Sequence, residues 1–194
     1  MRLTQYVHKC LEVILQPGDC VLDATAGNGF DSLKIAELIG QSGHLITIDK
    51  QAIALNTTHK KLTEARLEAD HEMILGDHAE ILQKLSRPLD GALFNLGYLP
   101  GSDKSIISTP ESTSAALNEI PRLLKEKGAL FVTTYREHPG GAEESKCVQE
   151  WMMQQKAKGW YVQKLEPPCA PDRLSPILWI AAPLALDLPR INLP

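Results

Sequence analysis

The run from Cys20 to Gly29, Cys-Val-Leu-Asp-Ala-Thr-Ala-Gly-Asn-Gly, constrains what this chain can fold into more than any other stretch. Val21 and Leu22 read as a buried strand, Asp23 follows at its tip, and Gly27 and Gly29 let backbone come close to a ligand before a helical pattern begins. This is a strand, loop and helix arranged as a nucleotide site. A second apolar run, 44–48, ends in Asp49, and a carboxylate at that strand tip is placed to accept hydrogen bonds from ribose hydroxyls. Acids at two neighbouring strand ends therefore bracket one ligand.

The spacing is Asp-x-x-x-Gly-x-Gly rather than Gly-x-Gly-x-x-Gly, and this bears on the cofactor. A dinucleotide needs a free helix N-terminus for its pyrophosphate, which Asp23 would repel. The same acid suits a cation, and the amino-acid end of S-adenosylmethionine carries an ammonium and a sulfonium. The pattern favours that methyl donor over a nicotinamide cofactor. A blander alternative stays open: the glycines only make a tight turn and Asp23 caps the helix.

A chain of 194 residues fits one α/β domain spanning residues 1–194. With 43% apolar and 23% charged residues, and no apolar run of membrane-spanning length, it reads as a globular protein. The N-terminus has no secretory pattern, which gives a cytoplasmic expectation. The four cysteines form no C-x-x-C pair and the six histidines are dispersed, so neither a disulfide framework nor a structural metal is expected. Cys10 and Cys20 lie in apolar patterns as small buried hydrophobes. The net charge of −4 argues against a nucleic-acid binder unless basic groups cluster locally, for instance across two subunits.

Taken in order, helical spacing over 3–15 predicts a lid or edge helix stopped by Pro17 and Gly18. A helix over 31–38 and the strand 44–48 follow. Next come a polar helix over 50–68, with an apolar stripe of Ile53, Ala54, Leu62 and Ala65, and a strand over 72–75. Asp77, at that third tip, is either an acceptor for the adenine amine or the N-cap of a helix over 79–85. Strand 91–95 leads into a rigid loop, 95–104. A helix over 110–127, ended by Gly128, precedes strand 129–133 and a Gly-rich loop over 134–141. A helix over 143–158 and strands 160–165 and 176–181 close the chain, the last pair implying an antiparallel edge. The order is that of an α/β, doubly wound, seven-stranded, mostly parallel sheet with one antiparallel strand, the Rossmann-like class I methyltransferase fold. Trp151, Trp160 and Trp179 read as core.

Three segments carry a closer likeness: Asp-Ala-Thr-Ala-Gly-Asn-Gly from Asp23, Asn-Leu-Gly-Tyr-Leu-Pro-Gly-Ser-Asp-Lys from Asn95, and His-Pro-Gly-Gly-Ala-Glu-Glu from His138. With them the chain resembles the YtqB-like or MnmM-type methyltransferases, long labelled rRNA methylases, over about residues 3–183. The resemblance implies N-methylation of the 5-aminomethyl group of the tRNA wobble uridine, with the tRNA anticodon loop as partner and a homodimer as assembly. It implies that Asp23, Gly27, Asn28 and Gly29 hold the methionine end of S-adenosylmethionine. Asp49 would hold the ribose, Asp77 and His78 would flank the adenine, and Thr25, Asp31 and Gln51 would complete the cofactor shell. Asn95, Leu96 and Gly97 would face the methyl group. Arg136 and Glu137 depart from the family pattern, which places a small residue before the histidine.

Methyl transfer from a sulfonium is an in-line displacement, so the site must present a neutral lone pair on the methyl-sulfur axis. An alkyl amine is mostly protonated in water and must be stripped of a proton by desolvation or a base. Asn95 Oδ1 and the carbonyls of Leu96 or Gly97 can accept amine protons, and Tyr98 can stack on uracil. His138 is the candidate base or RNA contact, against a plain loop role. Asp103 and Lys104 form either a surface ion pair or, through Lys104, a phosphate contact, and Arg136 is a further phosphate candidate. The competing functions are a small-molecule or rRNA methyltransferase and a catalytically silent donor-binding module.

Overall fold

The computed structural model describes residues 3–67, 69–97, 107–168 and 173–190. Helix α1 (Leu3–Ile14) leads to strand β1 (Cys20–Asp23), helix α2 (Phe30–Ile39), strand β2 (His44–Asp49), helix α3 (Ala52–Glu64) and strand β3 (Asp70–Leu75). The second half runs α4 (His78–Lys84), β4 (Leu89–Asn95), α5 (Pro110–Leu123), β5 (Leu124–Thr134), α6 (Gly141–Ala157), β6 (Tyr161–Leu165) and β7 (Ile177–Ala182).

The strands form one sheet in the order β3-β2-β1-β4-β5-β7-β6, with β7 antiparallel to both its neighbours. The expected seven-stranded doubly wound sheet is therefore present. The order reverses between β1 and β4, and in such sheets the crevice beyond the strand ends at that point is where ligands bind. Side chains alternate across each strand and feed two cores. Leu22, Ile46, Phe94 and Val132 pack under α4, α5 and α6, while Val21, Leu45, Leu93 and Phe131 pack under α1, α2 and α3. Trp151 and Trp179 are buried as the sequence suggests, and Trp151 meets Trp160 edge to face. Cys10 and Cys20 are buried thiols, pushed up to about 11 by desolvation.

Two expectations need correction. The helix expected over 110–127 stops at Leu123, and β5 already begins at Leu124, so Gly128 lies within a strand. Pairing of Leu124 with Leu89, across an irregular register before Gly91, overrides the helical preference of Lys125, Glu126 and Lys127. On α3 the inward residues are Ala54, Leu55, Thr58 and Leu62, whereas Ile53 is 60% exposed. The helix also ends at Glu64, short of 68, followed by Arg66 in the left-handed region at φ 54°.

Candidate active site

The loop after β1 is shaped by backbone. Gly27 and Gly29 have φ of 53° and 75°, values that L side chains rarely adopt. A Cβ on Gly29 would come within 2.8 Å of Thr58 Cα, so α3 packs directly on bare backbone there. Ala26 N–H donates to the Ile48 carbonyl at 2.9 Å, and Gly27 N–H to Asp49 Oδ2 at 2.9 Å, tying the loop to the β2 tip. Asp49 Oδ1 also accepts from Gln51 N–H at 2.9 Å, which fixes that carboxylate on the cavity wall.

Asp23 is placed otherwise than the sequence reading expected. Its side chain is buried beneath the loop rather than on the cavity wall, accepting from Ser32 Oγ at 2.6 Å and from Thr25 N–H at 3.2 Å. Burial, then the nearby Asp31 carboxylate, push its carboxyl up to about 7 against these hydrogen bonds. It supports the loop from below. Thr25 extends the same chain of contacts, its Oγ1 accepting from Asn95 N–H at 2.7 Å.

Asp77 takes the capping alternative. It accepts from Ala79 N–H at 2.8 Å, pairs with Lys50 at 2.8 Å and accepts from Ser112 Oγ. Burial opposes its ionisation, but these donors win and hold the carboxyl down at about 2. Neighbouring His78 does line the cavity, packed edge to face on Phe94, and desolvation lowers it to about 4, which keeps its imidazole neutral.

These parts enclose one cavity of about 580 Å³, running from Gly76 and His78 past the Gly27–Gly29 loop to Asn95–Gly97 and on to Tyr135–His138. Its volume is that of a cofactor-sized site. Asn28, Gln51 and Asp31 also line it. Asn95 Oδ1 is buried and has no hydrogen-bond partner among the described residues, an orphaned acceptor at the cavity wall. Leu96 is buried, its N–H donating to the Thr133 carbonyl at 2.9 Å.

Gly97 and Ser108, the two ends of the 98–107 connection, are joined twice. Gly97 N–H donates to Ser108 Oγ at 2.9 Å, and Ser108 N–H returns to the Gly97 carbonyl at 3.2 Å. Ser108 Oγ in turn donates to Glu144 Oε2 at 3.0 Å, and Thr113 Oγ1 donates to Glu144 Oε1 at 2.7 Å, burying that carboxylate in α6. Tyr98, Asp103 and Lys104 lie outside the described residues.

On the β5 side, His138 lines the cavity with Nδ1 3.0 Å from the Pro139 carbonyl. A Cβ on Gly141 would lie 2.8 Å from His138 Nε2 and 2.3 Å from the Tyr135 carbonyl oxygen, so this turn is closed on glycine. Arg136 corrects the phosphate expectation: its guanidinium is engaged by Glu166 and by the Ser175 carbonyl, and Glu137 accepts from Leu174 N–H at 2.9 Å. Both residues pin the segment before β7. The sequence reading missed the wall supplied by Thr4, Gln5 and His8 of α1, and Tyr135 and Ser108. The lid expectation for α1 was the available signal.

Comparison with known proteins converges on one group. Residues 45–180 match the family described as "Putative rRNA methylase". The tRNA (mnm(5)s(2)U34)-methyltransferase, chloroplastic, of Arabidopsis thaliana is 33% identical over 184 residues, covering 88% of this chain and 67% of that protein. A crystal structure of a Clostridium thermocellum protein described as a "putative rRNA-methylase" superposes with a TM-score of 0.87 at 32% identity, covering 94% of this chain and 97% of the other. A Streptococcus mutans protein described as "a putative methyltransferase", solved in complex with SAH, gives 0.80 at 27% identity, covering 93% and 97%.

Proposed function

Because this chain belongs to the rRNA methylase family of methyltransferases, we propose that it uses S-adenosylmethionine to N-methylate the 5-aminomethyl group of the tRNA wobble uridine. The observation that carries the proposal is the continuous cavity joining the Gly27–Gly29 loop to the orphaned Asn95 Oδ1. The residues present fit the donor. Gly27, Asn28 and Gly29 offer bare backbone to its methionine end, Asp49 and Gln51 face the ribose, and the neutral His78 borders the adenine side. Asp23, buried beneath the loop, supplies negative potential without contact. The bound donor supplies an electrophilic methyl on a positively charged sulfur.

The protein's part is positioning and proton removal. Asn95 Oδ1 accepts an N–H of the incoming amine and so turns its lone pair along the transfer axis. Thr25 holds Asn95 from behind, and the Gly97–Ser108–Glu144 contacts hold the backbone that follows. Leu96, Phe94 and the β-sheet beneath keep that wall dry, which favours the neutral amine. The name of the Arabidopsis relative supports this nucleoside as acceptor.

A net charge of −4 leaves little basic surface on one chain, so the proposal includes a homodimer that joins two such surfaces at the anticodon loop, acting in the cytoplasm. Light scattering would show twice the chain mass. Among the described residues no helix is long and apolar enough to cross a membrane. Mass spectrometry of tRNA nucleosides from a deletion strain tests the function. Loss of methylaminomethyl-uridine with accumulation of its aminomethyl precursor is expected, and an unchanged nucleoside profile overturns it.

A further inference from the structure

We propose that His8 and Asp31 form the acceptor-amine subsite, with His8 as the base that removes the amine proton; the proposal rests on the aminomethyl-uridine reading above. The two residues come from different elements, α1 and the first turn of α2, and meet with His8 Nε2 2.7 Å from Asp31 Oδ1. Both line the cavity, with side chains 27% and 19% exposed. His8 also lines an outer groove with Gln5, Lys9, Glu12 and Lys34, so the imidazole stands between the cavity and solvent.

The pairing fixes the chemistry of the ring. An ionised carboxylate only accepts, so Nε2 carries the hydrogen, and in the neutral ring Nδ1 is then the atom with a lone pair. The other carboxylates on the wall are already satisfied by backbone: Asp49 by Gly27 and Gln51 N–H, Glu137 by Leu174 N–H. Asp31 faces the His8 imidazole instead. Tyr135 lines the same cavity, its phenol raised by burial and then by the Asp31 carboxylate. The Tyr135 ring in turn lies 3.7 Å from where a Cβ on Gly97 would stand. An ammonium drawn to Asp31 stays within the cavity that Asn95, Leu96 and Gly97 also line. In the outer groove the charges beside His8 are Lys9 and Glu12 on its own helix and Lys34 on α2, which pairs with Glu12 at 2.6 Å, and the cavity it also lines carries Asp49, Lys50, Arg136 and Glu137.

The acceptor enters as R–CH2–NH3⁺. One N–H bond breaks, its electron pair stays on nitrogen, and the proton passes to His8 Nδ1, giving an imidazolium that Asp31 stabilises. The freed pair forms the N–CH3 bond while the S–CH3 bond breaks onto sulfur, leaving a neutral thioether and R–CH2–NH2⁺–CH3. His8 then releases its proton to solvent through the outer groove.

The test compares wild type, His8→Gln, His8→Ala and Asp31→Asn in single-turnover methylation of aminomethyl-uridine tRNA from about pH 6 to about pH 9.5, beside calorimetric titration with S-adenosylmethionine. His8→Gln should lose about 10²- to 10⁴-fold in rate near neutrality and regain about tenfold per pH unit as the amine deprotonates unaided. Its donor Kd should stay within about threefold of wild type, imidazole should partly restore His8→Ala, and Asp31→Asn should move in the same direction. The proposal is overturned if His8→Gln keeps the wild-type rate and profile, or falls equally at every pH with no imidazole rescue of His8→Ala. Wild-type methylation of this tRNA in those cases leaves the functional reading standing. A wild-type protein that binds the donor but never methylates this tRNA overturns both.

Discussion

Replacing Asp23 by Asn tests whether a buried carboxyl under the glycine loop has been placed there for its charge. In the fold its carboxyl is raised from 3.8 to about 7, burial first and Asp31 second. Between those pH values the folded chain holds a proton that the unfolded chain has already released, so stability falls as pH rises through the window. At about 1.4 kcal/mol per pH unit the loss comes to about 4 kcal/mol between pH 4 and 7. The amide is nearly isosteric, can still meet Ser32 Oγ and Thr25 N–H, and does not titrate. Denaturant titrations at intervals across that window should show Asp23→Asn gaining about 4 kcal/mol on wild type as pH rises, since groups that titrate in both proteins cancel in the difference. A cationic donor above the loop should reverse the preference: wild-type binding should tighten as pH rises through about 7 with proton release, and Asp23→Asn should bind more weakly without pH dependence. Parallel stability curves for the two proteins would refute the reasoning.

Gly29→Ala forces a side chain into the left-handed region against Thr58 Cα, at about 1–2 kcal/mol for the backbone and about 1–3 kcal/mol for the crowding. Chemical denaturation should show that loss, and donor binding should weaken; wild-type values for both would contradict the close packing of α3 on the loop. His78, lowered from 6.5 to about 4 by burial, contributes stability that is fully present above pH 6.5 and disappears as pH falls through 4, about 3 kcal/mol in all. His78→Gln should flatten that acid limb in thermal melts. Ser108→Ala strips Gly97 N–H and Glu144 Oε2 of a partner, about 1–3 kcal/mol for the groups left unpaired. It should lower the methyl-transfer rate with the donor Kd unchanged, measured by single turnover and calorimetry.

The sheet was legible because its signals are local. Alternating short apolar runs and helices, with Gly27 and Gly29 after the first strand, admit few other topologies. Asp49 was readable for the same reason, since a carboxylate at a strand tip next to a glycine loop has one obvious place to face. Asp23 was misplaced because sequence spacing locates a residue at a strand end but not the direction of its side chain, and here Ser32, nine positions on, draws it inward. The end of α5 was missed because Lys125, Glu126 and Lys127 favour helix locally, while the pairing of Leu124 with Leu89 is non-local. Likewise Arg136 offered itself as a phosphate ligand until Glu166 and Ser175, distant in sequence, were seen to hold it. His8 became visible only when α1 was laid against Asp31.

The most direct measurement is a crystal structure with bound S-adenosylhomocysteine. The methionine end is expected along Gly27–Gly29, the ribose at Asp49, and the sulfur facing Asn95–Gly97 with Oδ1 open toward the acceptor side. A ligand bound elsewhere, or Asn95 turned away from its sulfur, would contradict the account.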